Sequence, residues 1–390
     1  MFEKDLKDNI LLKKSKVPFF VPNISADDRK AVIDALKSPL LTDGPKLREF
    51  ESAFARFTGA KYAIGVSNAT SALQLTLKSL GIKKGEEVIV PDITFVATVN
   101  AVLLCNATPV LVDVEKEDFN ISIESVKNSI TKKTKLILPV HMAGKVCKIN
   151  EIIKIAKHND LLVLEDCAHA IGTRTEGKHV GMFGNAGCFS FYPTKNITTI
   201  EGGMIITNSE KIAKYVTSAR NHGLSRSLMN RFSHGKPWDY DVVEPGYNYR
   251  LDEVRSALGL SQLKRLKELN LLRRNACEYY KKKLESVKGV ITPQISQKDD
   301  NVYHLYITRI TKEYNLSRDE LFTIFAKEGI TTSLHYKPLH KFTAYKNTAK
   351  IYDELKNSNE LYNEIISLPL YPKISRNQQD LVIECIKNNQ

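Results

Sequence analysis

No stretch of this 390-residue chain approaches the roughly 18 to 20 consecutive apolar residues that a bilayer-crossing helix requires, so no helical membrane span and no membrane partner is expected. The opening segment MFEKDLKDNILLKKSK mixes acids and lysines and lacks an apolar core, which argues against a secretory signal. Without one, a triplet such as Asn106-Ala107-Thr108 is incidental as a glycosylation site. The six cysteines (Cys105, Cys147, Cys167, Cys188, Cys277 and Cys385) are scattered and form no C-x-x-C pair. A disulfide framework or zinc site is therefore not expected, and a reducing, cytoplasmic setting fits. G-x-G-x-x-G, the Walker A loop and H-E-x-x-H are all missing, as are repeats and low-complexity linkers. Positive charge is plentiful, at +13 net, but the lysines are spread along the chain apart from a loose cluster between Lys264 and Lys283. They are not interleaved with aromatics, so lysine-rich solvated faces are expected rather than a nucleic-acid surface. A basic mouth would suit a small anionic substrate.

What is present is an ordinary globular composition, 42% hydrophobic and 26% charged, long enough to bury a large core. Strand patterns fall at 62–67, 87–91, 109–114, 136–140, 161–166, 187–191 and 204–208. Several (VIVP, LILPV, LLVLED) are continuously apolar, as strands covered on both faces should be. Helical patterns at 70–80, 97–105, 150–158 and 211–220 alternate with them, which implies βαβ units and a mainly parallel seven-stranded sheet flanked by helices. The close pair 187–191 and 204–208 leaves room for one antiparallel strand. An amphipathic helix over 251–285 is expected to lead from a large α/β domain (1–250, with an N-terminal arm at 1–25) into a smaller α+β domain (251–390). The latter carries strands at 301–310 and 330–335 and helices at 317–328, 358–366 and 375–387.

Ligands of open α/β sheets bind beyond the carboxyl ends of the strands, so the residues there are the candidates. After the first strand, Ser67-Asn68-Ala69-Thr70-Ser71 opens a helix whose free N–H groups suit a phosphate; a plain N-cap would look the same. After the second, Phe95 is placed to stack on a planar ring, or to be core. The fifth strand ends in Asp166-Cys167-Ala168-His169. A buried acid needs a cation, and an Asp facing a pyridinium nitrogen keeps that ring an electron sink. Ala168 leaves room for the ring and His169 can bond a ring substituent; a metal held by Asp166 and His169 lacks further ligands nearby in sequence. The sixth strand leads into Ser190-Phe191-Tyr192-Pro193-Thr194-Lys195 and then Glu201-Gly202-Gly203. A lysine on a constrained turn, flanked by hydroxyls, suits Schiff-base chemistry, for which burial keeps the amine partly neutral. Ser190 can share the phosphate. It is the conjunction along one sheet edge that argues against a surface lysine.

These stretches resemble the DegT/StrS-type sugar aminotransferases of the fold-type I pyridoxal-phosphate enzymes: SNATSAL (67–73), VIVPDITFVATVNAV (88–102), LEDCAHAIG (164–172), FSFYPTKNITTIEGGM (189–204), ARNHG (219–223), GYNYRLDEVRSALGLSQL (246–263) and HYKPLH (335–340). The resemblance implies that Lys195 carries pyridoxal 5'-phosphate as a Schiff base, passing through the pyridoxamine 5'-phosphate form. It implies further that Asp166 pairs with the pyridine nitrogen, that His169 lies beside the 3-hydroxyl and that Phe95 stacks on the ring. Ala69, Thr70 and Ser190 would hold the phosphate, with Asn248 lent by the partner of a homodimer. It also implies glutamate as amino donor and a nucleotide-linked keto sugar as acceptor. Around 234–250 the chain looks more like members that aminate C4 of UDP-linked 4-keto-6-deoxy sugars than those acting at C3. Tyr192, His222, Tyr247, Arg250 and His335 are candidate substrate contacts. A C3-specific or keto-cyclitol aminotransferase and a non-catalytic regulatory protein that keeps the cofactor stand as alternatives; a related sugar dehydratase would have His in place of Lys195. Two departures bear on substrate shape: Ile200 stands where the family commonly has Gly, and the cradle reads N-A-T-S rather than G-T-x-A.

Overall fold

The computed structural model describes residues 15–225, 238, 240–295 and 300–390. The chain opens with helices α1 (Ala26–Leu36) and α2 (Pro45–Thr58) and then enters strand β1 (Tyr62–Val66) and helix α3 (Ala69–Ser79). Alternation continues through β2 (Glu87–Pro91), α4 (Val96–Leu103), β3 (Thr108–Val112), α5 (Ile123–Asn128), β4 (Thr134–Ile137), α6 (Ile149–His158) and β5 (Leu162–Asp166). A small hairpin, β6 (Arg174–Thr175) and β7 (Lys178–His179), precedes β8 (Ala186–Ser190), β9 (Gly203–Thr207) and α7 (Glu210–Ala219).

Seven of these strands form one sheet in the order β1-β9-β8-β5-β4-β2-β3. The pairs β2–β3, β2–β4, β4–β5 and β5–β8 are parallel, whereas β9 runs antiparallel to both β8 and β1. One strand of the suspected pair is thus reversed, as the spacing allowed. Both faces are covered, which explains the unbroken apolar runs. Val88 and Val90 point toward α3, α4 and α7, while Ile89 points the other way, toward α5 and α6. Farther along, Phe189, Met204 and Ile206 pack with Phe50 and Phe54 of α2 and Leu266 of the next helix. Glu165, fully buried, accepts N–H bonds from Gly181, Phe183 and Gly184 and lies 2.9 Å from His141 Nε2, so its cost of burial is met by hydrogen bonds.

Helix α8 (Glu253–Leu284) realises the predicted long helix and is tied down by polar side chains. Its Glu253 accepts from the N–H groups of Gly44, Lys46 and Leu47 at the start of α2, a helix N-terminus with no side-chain cap of its own. The buried Asp28 of α1 meets Ser261, Gln262 and Arg265 of the same helix. Beyond α8 lies an antiparallel sheet of β10 (Val290–Ile291), β11 (Tyr306–Ile310) and β12 (Ile365–Leu368), with α9 (Arg318–Lys327), α10 (Lys356–Glu364) and α11 (Arg376–Lys387). A separate cluster built on Tyr280, Tyr306, Phe325, Leu368 and Ile386 fills it, and Val17 joins that cluster.

Three expectations for this part are corrected. The run 330–335 is not a strand, because Ile330 and Ser333 make only single bridges, to Val17 and Ser367. The helix expected at 358–366 ends at Glu364, and Ile365–Leu368 instead completes the small sheet, where all four residues are buried. The strand expected at 301–310 begins at Tyr306. No helix among the described residues is long and apolar enough to cross a membrane.

Candidate active site

Because β9 is reversed, its first residue meets the last residues of β8 and β1: Gly203 pairs with both Ser190 and Val66. Here the chain comes too close for a side chain. A Cβ on Gly203 would lie 2.6 Å from the Asn68 carbonyl and 2.9 Å from the Ala69 nitrogen. The start of α3 is thereby pressed onto the sheet edge beside Ser190. Asn68 caps that helix by accepting the Ser71 N–H. The N–H groups of Ala69 and Thr70 take part in none of the described hydrogen bonds and remain for an anion.

Ala69, Thr70, Phe95, Asp166, His169, Ser190, Tyr192, Lys195 and His335 all line one cleft of about 540 Å³. Phe95, at the N-cap of α4, is 54% exposed, which favours the stacking platform over the core reading. Asp166 is buried, and its carboxylate accepts from Thr98 Oγ1 at 2.9 Å and from the Ala168 N–H at 3.1 Å. Burial pushes its carboxyl up from the usual range, against the pull of those bonds and of Lys195. The Lys195 turn is fastened by the hydroxyls around it. Thr198 Oγ1 donates to the Phe191 carbonyl and accepts from Ile200 N–H, and Thr199 Oγ1 donates to the Glu201 carbonyl. Burial pulls the Lys195 amine down to about 7; Asp166 opposes this and the Arg273 guanidinium reinforces it. Ile200 sits at φ 70, a left-handed conformation that strains a β-branched residue, and it is exposed.

His169 is buried and is kept neutral, its pKa pushed well down by burial and then by Lys195. Its Nδ1 accepts from Ala143 N–H, so the proton sits on Nε2, 3.1 Å from the Tyr336 hydroxyl. Tyr336 is a site residue that the sequence reading passed over, although the HYKPLH stretch contains it; Thr98, Thr94 and Glu201, also in the cleft, were missed too. His335 lies 2.9 Å from Ser367 Oγ through Nδ1, stacks on Phe19 at 5.5 Å, and is pushed down to about 3, chiefly by burial.

Four candidates fall outside this cleft. His222 and Asn248 are exposed, and Tyr247 stacks on Tyr249. Arg250, which donates to Asn221, lines a different cavity of about 610 Å³ with Arg220, Lys214 and Asp43. Part of the 234–250 stretch is not described: residues 226–237 and 239 lie outside the described residues.

This arrangement of anion cradle, buried acid, aromatic platform and half-neutral lysine suits pyridoxal phosphate: a phosphate, a ring nitrogen, a ring face and an aldehyde each meet a group of matching chemistry. The model of the DegT/DnrJ/EryC1/StrS aminotransferase family matches residues 22–387. The chain belongs to that family. It is thus an aminotransferase that works with pyridoxal phosphate, as the sequence motifs implied. It is 36% identical over 375 residues to the spore coat polysaccharide biosynthesis protein SpsC of Bacillus subtilis, covering 95% of this chain and 96% of that one. Among solved structures it resembles the putative sugar aminotransferase Spr1654 of Streptococcus pneumoniae in its PMP form, with TM-score 0.90, 30% identity and 96% and 98% of the two chains covered. It also resembles Helicobacter pylori PseC, an aminotransferase involved in the biosynthesis of pseudoaminic acid, with TM-score 0.88, 31% identity and coverage of 96% and 98%.

Gly203→Ala is expected to displace the start of α3 and to weaken cofactor binding at least about tenfold, because the added methyl meets backbone rather than a side chain that can move away; fluorescence titration of the cofactor-free protein with pyridoxal phosphate measures this. Below pH 7 Lys195 is mainly protonated and above it mainly neutral. The rate at which cofactor-free protein captures pyridoxal phosphate should therefore rise with pH and level off above about 7, not climb toward the range of a free lysine. Stopped-flow absorbance between pH 5.5 and 9 checks the prediction.

Proposed function

We propose that this enzyme transfers the amino group of glutamate to C4 of a UDP-linked 4-keto-6-deoxy sugar, yielding 2-oxoglutarate and an amino sugar, and that it does so in the cytoplasm as a homodimer with shared sites. The observation that carries the shared-site reading is the division of the candidates: Lys195 and its neighbours line one cleft, while Asn248, Tyr247, His222 and Arg250 lie apart from it. A second copy can supply the second group to the first. The sugar reading is supported by the relatives, SpsC in spore coat polysaccharide biosynthesis, and the sugar aminotransferase Spr1654. The C4 and UDP assignment rests on the motif around 234–250.

Bound pyridoxal phosphate supplies the ring that accepts electrons during transfer. The chain does the rest. Ala69, Thr70 and Ser190 fix the phosphate, with Asn248 of the partner subunit. Phe95 would cover a face of the cofactor's ring, and Asp166, oriented by Thr98 Oγ1 and the Ala168 N–H, would hold the proton on the ring nitrogen. Lys195 Nζ takes the proton from the α-carbon of glutamate and, in the second half-reaction, delivers one to C4 of the sugar. His169 and Tyr336 order the ring's hydroxyl side, and the cationic groups near Arg250 receive the diphosphate.

Incubation with glutamate and a panel of 3-keto and 4-keto nucleotide sugars, read by product mass and 2-oxoglutarate, should give the largest turnover with UDP-4-keto sugars. Preference for 3-keto sugars would establish the C3 alternative, and no turnover with any nucleotide sugar, in protein that holds the cofactor, would overturn the sugar reading. Lys195→Ala and Asn248→Ala should each be close to inactive alone. Refolded together, they should regain roughly a quarter of wild-type activity, because half the dimers then carry one intact site of two; no recovery would refute shared sites.

A further inference from the structure

Arg273, on the inner face of α8, is 3% exposed and has no acid within ion-pair distance among the described residues. A buried guanidinium without a counter-charge is costly and rare, so its persistence needs a reason. Among the described residues its hydrogen bonds go only to carbonyls. Nη1 donates to His304 and Leu370, each at 3.1 Å, and Nη2 to Thr194 at 3.4 Å; Nε is buried without a partner. Thr194 immediately precedes Lys195. The His304 ring lies 4.6 Å from His169, and Leu370 follows β12. One planar fork therefore joins the lysine turn to two other segments at the back of the cleft, where His304, Leu370, Thr194 and Lys195 line a small void of about 40 Å³.

We propose that Arg273 is a positioning residue for amino transfer: it clamps the Thr194 carbonyl and, as a fixed and unneutralised positive charge, biases the neighbouring Lys195 toward its neutral amine. The inference rests on Lys195 being the reacting lysine. The charge balance at Lys195 supports it. Asp166 is the one buried carboxylate that draws a proton to the amine, while Arg273 acts in the opposite sense. The other groups facing the lysine are His169 beyond β5, His304 before β11, His335 and Tyr336 on the 335–340 loop, and Tyr192 and Glu201 at the rim. Burial keeps the three histidines neutral and the Tyr336 phenol protonated. Glu201 is exposed to solvent at the rim, so Asp166 and Arg273 are the opposed buried charges. Arg273 itself is pulled down by burial to about 10 and stays charged at neutral pH, beside a Cys277 thiol that burial keeps protonated. A lysine at this position would keep the charge but lose the fork; a glutamine would keep amide donors but lose the charge.

The test compares Arg273→Lys, Arg273→Gln and wild type as holoenzymes, by titrating the visible absorbance of the bound cofactor with pH. Borohydride reduction and peptide mass mapping of wild type come first; attachment anywhere but Lys195 would remove the premise and leave Arg273 out of account. With attachment at Lys195, Arg273→Gln should raise the titration midpoint by about one pH unit, a roughly tenfold gain in proton affinity, while Arg273→Lys stays within about 0.3 of wild type. In cofactor-free protein, acetylation of Lys195 followed by mass spectrometry should need a correspondingly higher pH in Arg273→Gln. A clamp without an electrostatic role would lower thermal stability in both variants and leave both midpoints where they were; that result, or an equal rise in both, overturns the proposal. If Arg273→Gln does not fold, Arg273→Met takes its place as the variant without the charge: a midpoint raised by about one pH unit supports the proposal and an unmoved one overturns it.

Discussion

The close approach of Gly203 to the Asn68–Ala69 backbone is the constraint on which the site depends. It exists because β9 is threaded antiparallel between β1 and β8, which are parallel to each other. That insertion sets the start of α3 beside Ser190, and it makes the β8–β9 connection a return loop along the sheet edge. Lys195 sits on that loop. A residue with a side chain at position 203 would push the start of α3 away from Ser190. The same geometry explains why hydroxyls crowd the loop, since its turns point into a packed interior where backbone groups must be paired.

Around the lysine the protein removes water and leaves few charges. Asp166 is raised and Lys195 lowered by the same burial, so each is poised nearer neutrality than in water. Three histidines close by stay neutral for the same reason. In such a setting a hydrogen bond or a distant charge moves a proton equilibrium further than it would at the surface. Thr98, which donates to Asp166, and Arg273, whose charge opposes that of Asp166 at Lys195, act in that setting.

Helix α8 connects this chemistry to the rest of the molecule. Its Glu253 holds the start of α2, its Gln262 and Arg265 hold Asp28 of α1, and its Asn270 accepts from Asn196, the residue after the lysine. Farther along, Gln379 of α11 donates to the Ala276 carbonyl. The positions of the lysine turn and of the small sheet are thus referred to a single helix. The loop carrying His335 and Tyr336 is held differently: Asp92, at the end of β2, accepts from the His340 N–H and lies 2.7 Å from His340 Nδ1.

Much was legible along the chain, because the information was local. Continuous apolar runs marked the doubly covered strands, and strand-end residues marked Asp166, Phe95 and Lys195, since strand ends on one edge must face the same space. The failures came where the fate of a segment depends on a distant partner. Ile365 and Ile366 read as the end of a helix but belong to a strand claimed by β11, and Tyr336 reaches the cleft on a loop clamped to Asp92 beside β2. Arg273 had no local signal at all, being one basic residue in a charged helix until packing enclosed it. Composition and motif order determined the fold class and the family, and put forward Lys195 as the candidate lysine. Tertiary structure alone decided which cations lose their water and which candidates share a cleft, because burial and electrostatic coupling are properties of packing, not of residue type.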